Sequence, residues 1–456
     1  MSNEKKPKKK SAAPPKEHKP SWQERQATVQ DIKAFLDERV MLRHNVVTGQ
    51  VECHQVERGL DIATDDSGQL RIVDSPSRSQ SGAPVWSPLT DRVVNTLWAE
   101  LAGTKTVRKQ DMQNIIESDY VPEYNPFRFY LDRLPPWNED KGDYIMELSL
   151  SVNVRGDSDE QILFYQCLKK WLVAMVAGWL DADVVNNVIL VLIGEQGSYK
   201  TTWFSHLLPP ELRQFFRIKT NASRMTKDDL LALTQYGLMC CEELDTMRPA
   251  ELNELKSAVT MPSVDERRPY GRYHEHRAHL ASFCGTGNNV QFLNDATGNR
   301  RWLPFEVERI DDPRLYPFNY EGIYAQAYAL YRQGFRHFFT KAEEERLKAH
   351  NRAFEAPCSE QEAIEKHFRR PGDGERGEFY TATDILLVAS EGPSLRFTPE
   401  KIGGAMQKLG YERCSSKGRR GYRVVRYKPE EIEANRRLLA LDVQNEEEGA
   451  GGAGSS

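Results

Sequence analysis

In the run VLIGEQGSYKTTW, Lys200-Thr201-Thr202 stands six residues after Gly194 and three after Gly197. Glycine-rich turns of this kind expose backbone N–H groups at the positive end of a helix, an arrangement that surrounds phosphate oxygens. A lysine adds charge on the phosphates, and a Ser or Thr hydroxyl holds magnesium. Counted from Gly194, Lys200 and Thr201 take those two places. The candidate nucleotide-contacting residues are Gly194, Glu195, Gln196, Gly197, Ser198, Tyr199, Lys200, Thr201 and Thr202. Tyr199 departs from the motif, in which glycine precedes the lysine. If the position requires a positive φ, tyrosine costs on the order of 1–2 kcal/mol, which is small beside triphosphate binding. The alternative is a strand–turn–helix that has lost its ligand, although loss would not favour keeping both Lys200 and Thr201.

Turnover also needs an acid that orders magnesium and a base that orients water, on a strand next to the one carrying the loop. YGLMCCEELDTM offers Glu242 and Glu243 directly after an apolar run, and Glu242 joins Thr201 as a candidate metal ligand. LASFCGTGNN sets Asn288 at the tip of another apolar run, where an amide would sense the γ-phosphate. In TGNRRW, Arg300 or Arg301 would act as a finger on a neighbouring subunit's nucleotide. Taken singly, each arginine is more often a surface or ion-pair residue. The order lysine, acid pair, asparagine, arginine is more specific than any member, and the ligands it calls for are ATP and Mg2+.

Between the acid pair and the asparagine, SVDERRPYGRYHEHRAH interleaves Arg267, Arg268, Arg272 and Arg277 with Tyr270 and Tyr273. Arginines grip phosphates and tyrosine faces stack bases, the combination expected of a single-strand channel. The alternative is a solvated hairpin around Pro269-Tyr270-Gly271. Near the C-terminus, TATDILLVA, TPEKIGGAMQKLGY and GYRVVRY read as helix, helix and strand, with RCSSKGRRG as a basic turn. This resembles a winged helix whose Lys417, Arg419 and Arg420 would meet a DNA backbone, or else a protein partner.

These residues need a scaffold. NNVILVLIG is a continuous apolar run ending in glycine, the pattern of a central strand buried on both faces. Strand-like YGLMCC, HLASFCGTG and RRWLPFEV alternate with helical KTTWFSHLL, TKDDLLALTQ and AELNELKSAVT, which predicts a helix-flanked sheet. The expected organisation is a disordered basic tail (1–20), an α-rich accessory domain (21–145), an α/β core with a helical prelude and lid (146–350) and a linker (351–375). A winged-helix-like domain (376–430) and a C-terminal helix with a disordered tail (431–456) follow.

A length of 456 residues fits two to four units at ~100–200 residues each. The most apolar stretch, WLVAMVAGWL, falls short of the ~20 residues that span a bilayer and predicts a buried helix. Seven cysteines without a C-x-x-C pair, and a charged start with no apolar core after it, point to a reducing cytoplasm and no membrane partner. The net charge is -5, yet residues 1–20 hold seven lysines against two glutamates. Such an arm either touches phosphates or only solubilises the chain.

EYNPFRFYLDRLPPWN, LIGEQGSYKTTW, CCEELD, DERRPYGRYHEHR and GTGNNVQFLNDATGNRRW together resemble the virulence-associated protein E family, over roughly residues 120–350. These are ring-forming ATPases related to superfamily III helicases of phages and mobile elements. Its members usually have glycine where this chain has Tyr199. The resemblance implies an AAA+-like core, oligomerisation into a ring, expected to be a homo-hexamer, and DNA unwinding or translocation. By that match Lys200 and Thr201 correspond to Walker A, Glu242 and Glu243 to Walker B, Asn288 to sensor 1 and Arg300 or Arg301 to the finger. In related helicases a hairpin at the position of the Arg/Tyr segment lines the pore. The expected function is an ATP-dependent DNA helicase in replication of a phage or mobile element. One alternative is an ATP-switched initiator or loader without processive unwinding; another is a scaffold with an inactive phosphate loop. The first 150 residues show no paired-carboxylate metal site, so priming would come from a separate primase.

Overall fold

The computed structural model describes residues 26–55, 58–64, 70–76, 85–219, 225–266, 275–293, 299–356, 359–372, 374–389 and 397–433. At its centre is a sheet whose elements run in chain order as β1 (Val152–Val154), α1 (Ser158–Leu180), β2 (Ile189–Ile193), α2 (Lys200–Leu207), β3 (Phe216–Lys219), β4 (Leu238–Cys241), β5 (Ser282–Gly287) and β6 (Trp302–Ile310). The strand order is β1-β6-β2-β5-β4-β3. Strands β2 to β6 are mutually parallel, and β1 pairs antiparallel with β6.

A strand with no polar face must be covered on both sides, and all five residues of β2 are buried. Leu190 and Leu192 pack into one core with Trp171, Leu172 and Phe204, while Ile189, Val191 and Ile193 pack into a second with Leu252, Leu255 and Phe283. Each such side chain contributes roughly 1.5–3 kcal/mol by leaving water. Helix α1 starts where the Asp157 carboxylate accepts the backbone N–H groups of Asp159 and Glu160. It then buries Trp171, whose indole donates to the Phe283 carbonyl at 3.0 Å, and Trp179, which donates to the Gly237 carbonyl at 3.2 Å. Among the described residues no helix is long and apolar enough to cross a membrane.

The N-terminal unit is mixed, which corrects the α-rich expectation. Helices Val29–Arg39, Asp91–Ala102 and Lys109–Ile116 pack on a sheet ordered 87–88, 50–55, 40–45 and 123–124, and strands 58–64 and 70–76 form a separate hairpin. The periodic helix stops at Arg39 because Val40 opens a strand that turns back through Gly49, at φ +68°. Val40 and Cys53 then share a core with Ile32, Leu36, Leu97 and Met112.

Residues 351–375 are not a linker. Phe354 packs into the central core, and helix Ser359–His367 with strand Phe368–Arg369 belongs to the C-terminal unit through buried Ile364 and Phe368. Helices Ala382–Ala389 and Pro399–Lys408 complete a three-helix layer over strands 368–369, 378–380, 413–416 and 419–426. The last two strands form a hairpin that turns at Lys417-Gly418, both with positive φ (49° and 77°). The basic tail of residues 1–20 lies outside the described residues, as does nearly all of 431–456.

Candidate functional site

Parallel strands deliver their loops to one edge, and register sets which tips meet. Ile193 of β2 lies beside Gly287 of β5, and Cys241 of β4 lies beside Gly285. The chain segments at 194–199, 242–245 and 288 therefore converge at the carboxyl edge of the sheet. The Gly194 N–H donates to the Gly287 carbonyl at 3.2 Å. A Cβ at Gly194 would lie 2.9 Å from the Val307 carbonyl oxygen, so only glycine fits there.

The loop turns at Gly197, φ +87°, and at Tyr199, φ 63° and ψ 13°. The tyrosine thus occupies, at a cost of ~1–3 kcal/mol, the left-handed region that glycine would take freely. Its carbonyl starts α2 by accepting from the Trp203 N–H at 2.8 Å. Lys200 is buried, and its ammonium donates to the Gly194 and Glu195 carbonyls at 2.7 Å each, to Ser198 Oγ at 3.2 Å and to Asn288 Oδ1 at 3.4 Å. Burial pulls its pKa below the ordinary lysine value, opposed by the charges of Asp245 and Glu195. The Thr201 hydroxyl donates to Glu242 Oε1 at 2.9 Å. Glu242 is held at the end of β4 by its N–H on the Lys219 carbonyl at 3.3 Å. Glu243 is exposed and left-handed (φ 54°, ψ 43°), and among the described residues its carboxylate makes no hydrogen bond.

Lys200, Thr201, Glu242 and Asn288 are thus brought together. Arg300 and Arg301 are not. Trp302, which follows them, pairs with Ile189 at the start of β2, and Glu306 pairs with Ile193 at its end. The two arginines therefore stand at the opposite edge of the sheet, ~13 Å of strand away from the chain's own loop. Arg300 contacts Glu344 there at 3.6 Å.

Arg267, Arg268, Tyr270, Arg272 and Tyr273 lie outside the described residues. The strands that lead to them, Ser263–Glu266 and Glu275–Ala278, are paired antiparallel. Arg277 on the second strand is part-buried and donates to the Val47 carbonyl at 2.5 Å, so it ties the hairpin base to the N-terminal unit instead of facing an open channel. Lys417, Arg419 and Arg420 are exposed around the C-terminal hairpin turn.

Two neighbours lie outside the site residues assigned from the sequence, Asp245 being there only a substitute acid. Asp245 accepts the Asn288 and Asn289 N–H groups at 3.2 and 3.3 Å, which holds the asparagine tip against the acid segment. Arg314 sits with its guanidinium carbon 5.4 Å from the Tyr199 ring centroid. EELD made Asp245 visible as a third acid, whereas nothing local in DDPRLYPF marks Arg314.

Fold and site define a mixed α/β protein organised around a strand–glycine loop–helix junction. Residues 144–356 match the model of the virulence-associated protein E-like domain. Among solved structures, the apo form of the NrS-1 C-terminal region (305-718) is 13% identical, with a TM-score of 0.45 over 87% of this chain and 98% of that one. An A-form apo structure of the same region is 11% identical, with a TM-score of 0.43 over the same shares. No curated protein matches the chain.

Proposed function

We propose that the chain is an ATP-dependent DNA helicase or translocase that works as a ring in replication of a mobile genetic element. The observation that carries this reading is the convergence of buried Lys200, the Thr201–Glu242 pair and Asn288 at the carboxyl edge of a parallel sheet. Two non-glycine residues with positive φ, Tyr199 and Glu243, stand at the same edge. Strain of that kind collects at functional sites. The strand order, with the loop strand between β5 and β6, supports an AAA+-like core, and the helices and basic hairpin of the C-terminal unit support a winged-helix-like domain. The family match supports the setting in mobile elements.

The residues fit a nucleotide with magnesium. The loop backbone is free of side-chain bulk at Gly194 and Gly197, and Lys200 carries a buried positive charge at the loop. Thr201 and Glu242 would hold the ion, which when bound neutralises charge building up on the phosphates. Lys200 would exchange loop carbonyls for phosphate oxygens. Asn288 would report the γ-phosphate to β5, and Glu243 would orient the attacking water. Glu243→Gln is expected to bind ATP while hydrolysing it ~10²–10⁴-fold more slowly, the range lost with a general base. Glu242→Gln should instead weaken magnesium-dependent binding. Nucleotide titration with and without magnesium, alongside phosphate release, separates the two; normal turnover in both would pass the role to Asp245.

The exposed Lys417, Arg419 and Arg420 favour a second reading, an initiator or loader that binds duplex DNA and switches with ATP. Phosphate release with and without single-stranded DNA, followed by strand displacement on a forked duplex, decides between them. The helicase reading expects stimulation and displacement. Stimulation without displacement favours the initiator, and no ATPase under either condition removes both in favour of a scaffold.

A further inference from the structure

We infer that Arg314 is a phosphate-binding residue of the chain's own nucleotide site, held over the loop by the Tyr199 ring and by the Asp312 carboxylate. This rests on the ATP reading above and adds to it a cation that the motifs do not supply.

Strand β6 continues beyond Glu306, the partner of Ile193, as far as Ile310. The segment after it therefore emerges at the same edge as the loop. There Asp312 fixes a turn: its carbonyl accepts the Leu315 and Tyr316 N–H groups at 3.0 and 2.9 Å, and its Oδ1 accepts the Arg314 N–H at 3.0 Å. The guanidinium lies flat against that carboxylate, with Nε at 2.9 and 3.1 Å and Nη2 at 2.7 Å. It is also within cation–π distance of the Tyr199 ring. The Asp312 side chain is 12% exposed and that of Arg314 58%. One edge of the guanidinium is thus anchored on Asp312, and the Tyr199 hydroxyl also interacts with it.

Tyr199 itself is 40% exposed and makes no side-chain cap for α2, so neither burial nor capping explains a tyrosine in a conformation suited to glycine. Contact with Arg314 does. Asp312 and Tyr199 together pre-set the guanidinium, whose planar fork suits phosphate, while Lys200 supplies a point charge from below. Arg300 and Arg301, across the sheet, cannot serve the same loop.

The test is titration of the full chain with a fluorescent ATP analogue at two salt concentrations. Arg314→Ala should weaken binding about tenfold, the scale of a charge-assisted hydrogen bond, and reduce its salt dependence. Tyr199→Phe keeps the ring face but removes the hydroxyl that also interacts with the guanidinium, and should weaken binding less than Tyr199→Leu does. Tyr199→Leu should weaken binding in the parent chain but not in the Arg314→Ala background, because the ring acts through the guanidinium. Circular dichroism should be unchanged throughout, since Arg314 is exposed. Wild-type affinity in Arg314→Ala, with Lys200→Ala still defective, overturns the inference and leaves the ATP site standing. Additive losses for Tyr199→Leu and Arg314→Ala overturn the positioning role of the ring. A wild-type chain that binds no ATP overturns both readings.

Discussion

A Lys200→Ala chain is expected to lose ATP hydrolysis by ~10²–10³-fold, the loss that follows removal of one preorganised donor from a developing negative charge. The ammonium is positioned by the loop itself: the Gly194 and Glu195 carbonyls and Ser198 Oγ hold it beneath the turn, and Asn288 approaches it from β5. Stability should move little, and not downward. Burial is the largest influence on the Lys200 pKa and acts against its charge, so the folded chain carries this ammonium at a cost. Alanine removes that cost, and the carbonyls it vacates border an exposed loop that water can reach. Phosphate release together with thermal unfolding reads both effects. Hydrolysis at the wild-type rate would end the phosphate-loop assignment, whereas a large fall in Tm would make Lys200 a structural staple.

The central sheet was largely legible because buried parallel strands have no polar face to obscure the pattern. VILVLIG, YGLMCC and HLASFCGTG contain β2, β4 and β5, and RRWLPFEV contains the first six residues of β6. Two strands carried too little signal. The three residues of β1 sit between helices, and QFFRIK hides the edge strand β3 behind a 3-10 turn. In the N-terminal unit, Val40 to Asn45 follows a helix without a break residue, so its strand character depends on pairing with Gln50–Gln55. The convergence of Lys200, Thr201, Glu242 and Asn288 was legible because spacing along the chain and strand ends specify where they fall. Arg314 and the seat of Arg277 on Val47 were not, because each contact joins segments far apart in sequence: 115 residues for Tyr199 to Arg314 and 230 for Arg277 to Val47.

The arginines before β6 lead to the second large effect. Because Arg300 and Arg301 stand at the edge of the sheet away from their own loop, they can reach a nucleotide only on another copy of the chain. A head-to-tail interface presents one edge of each copy to the opposite edge of the next, and repetition of that contact closes a ring. Arg300→Ala/Arg301→Ala chains are therefore expected to be as inactive as Lys200→Ala chains. They should still fold, since the exposed Arg300–Glu344 pair at 3.6 Å is worth no more than ~1 kcal/mol. When the two inactive populations exchange subunits in equal amounts, about a quarter of the interfaces join an intact loop to an intact arginine pair, and that share of the wild-type ATPase should return. Fluorescently labelled subunits establish that exchange has taken place. Activity that stays at the level of the two separate variants in fully exchanged rings would show that the pair does not act across the boundary, and would leave Arg314, on the chain's own side, as the arginine that meets the phosphates.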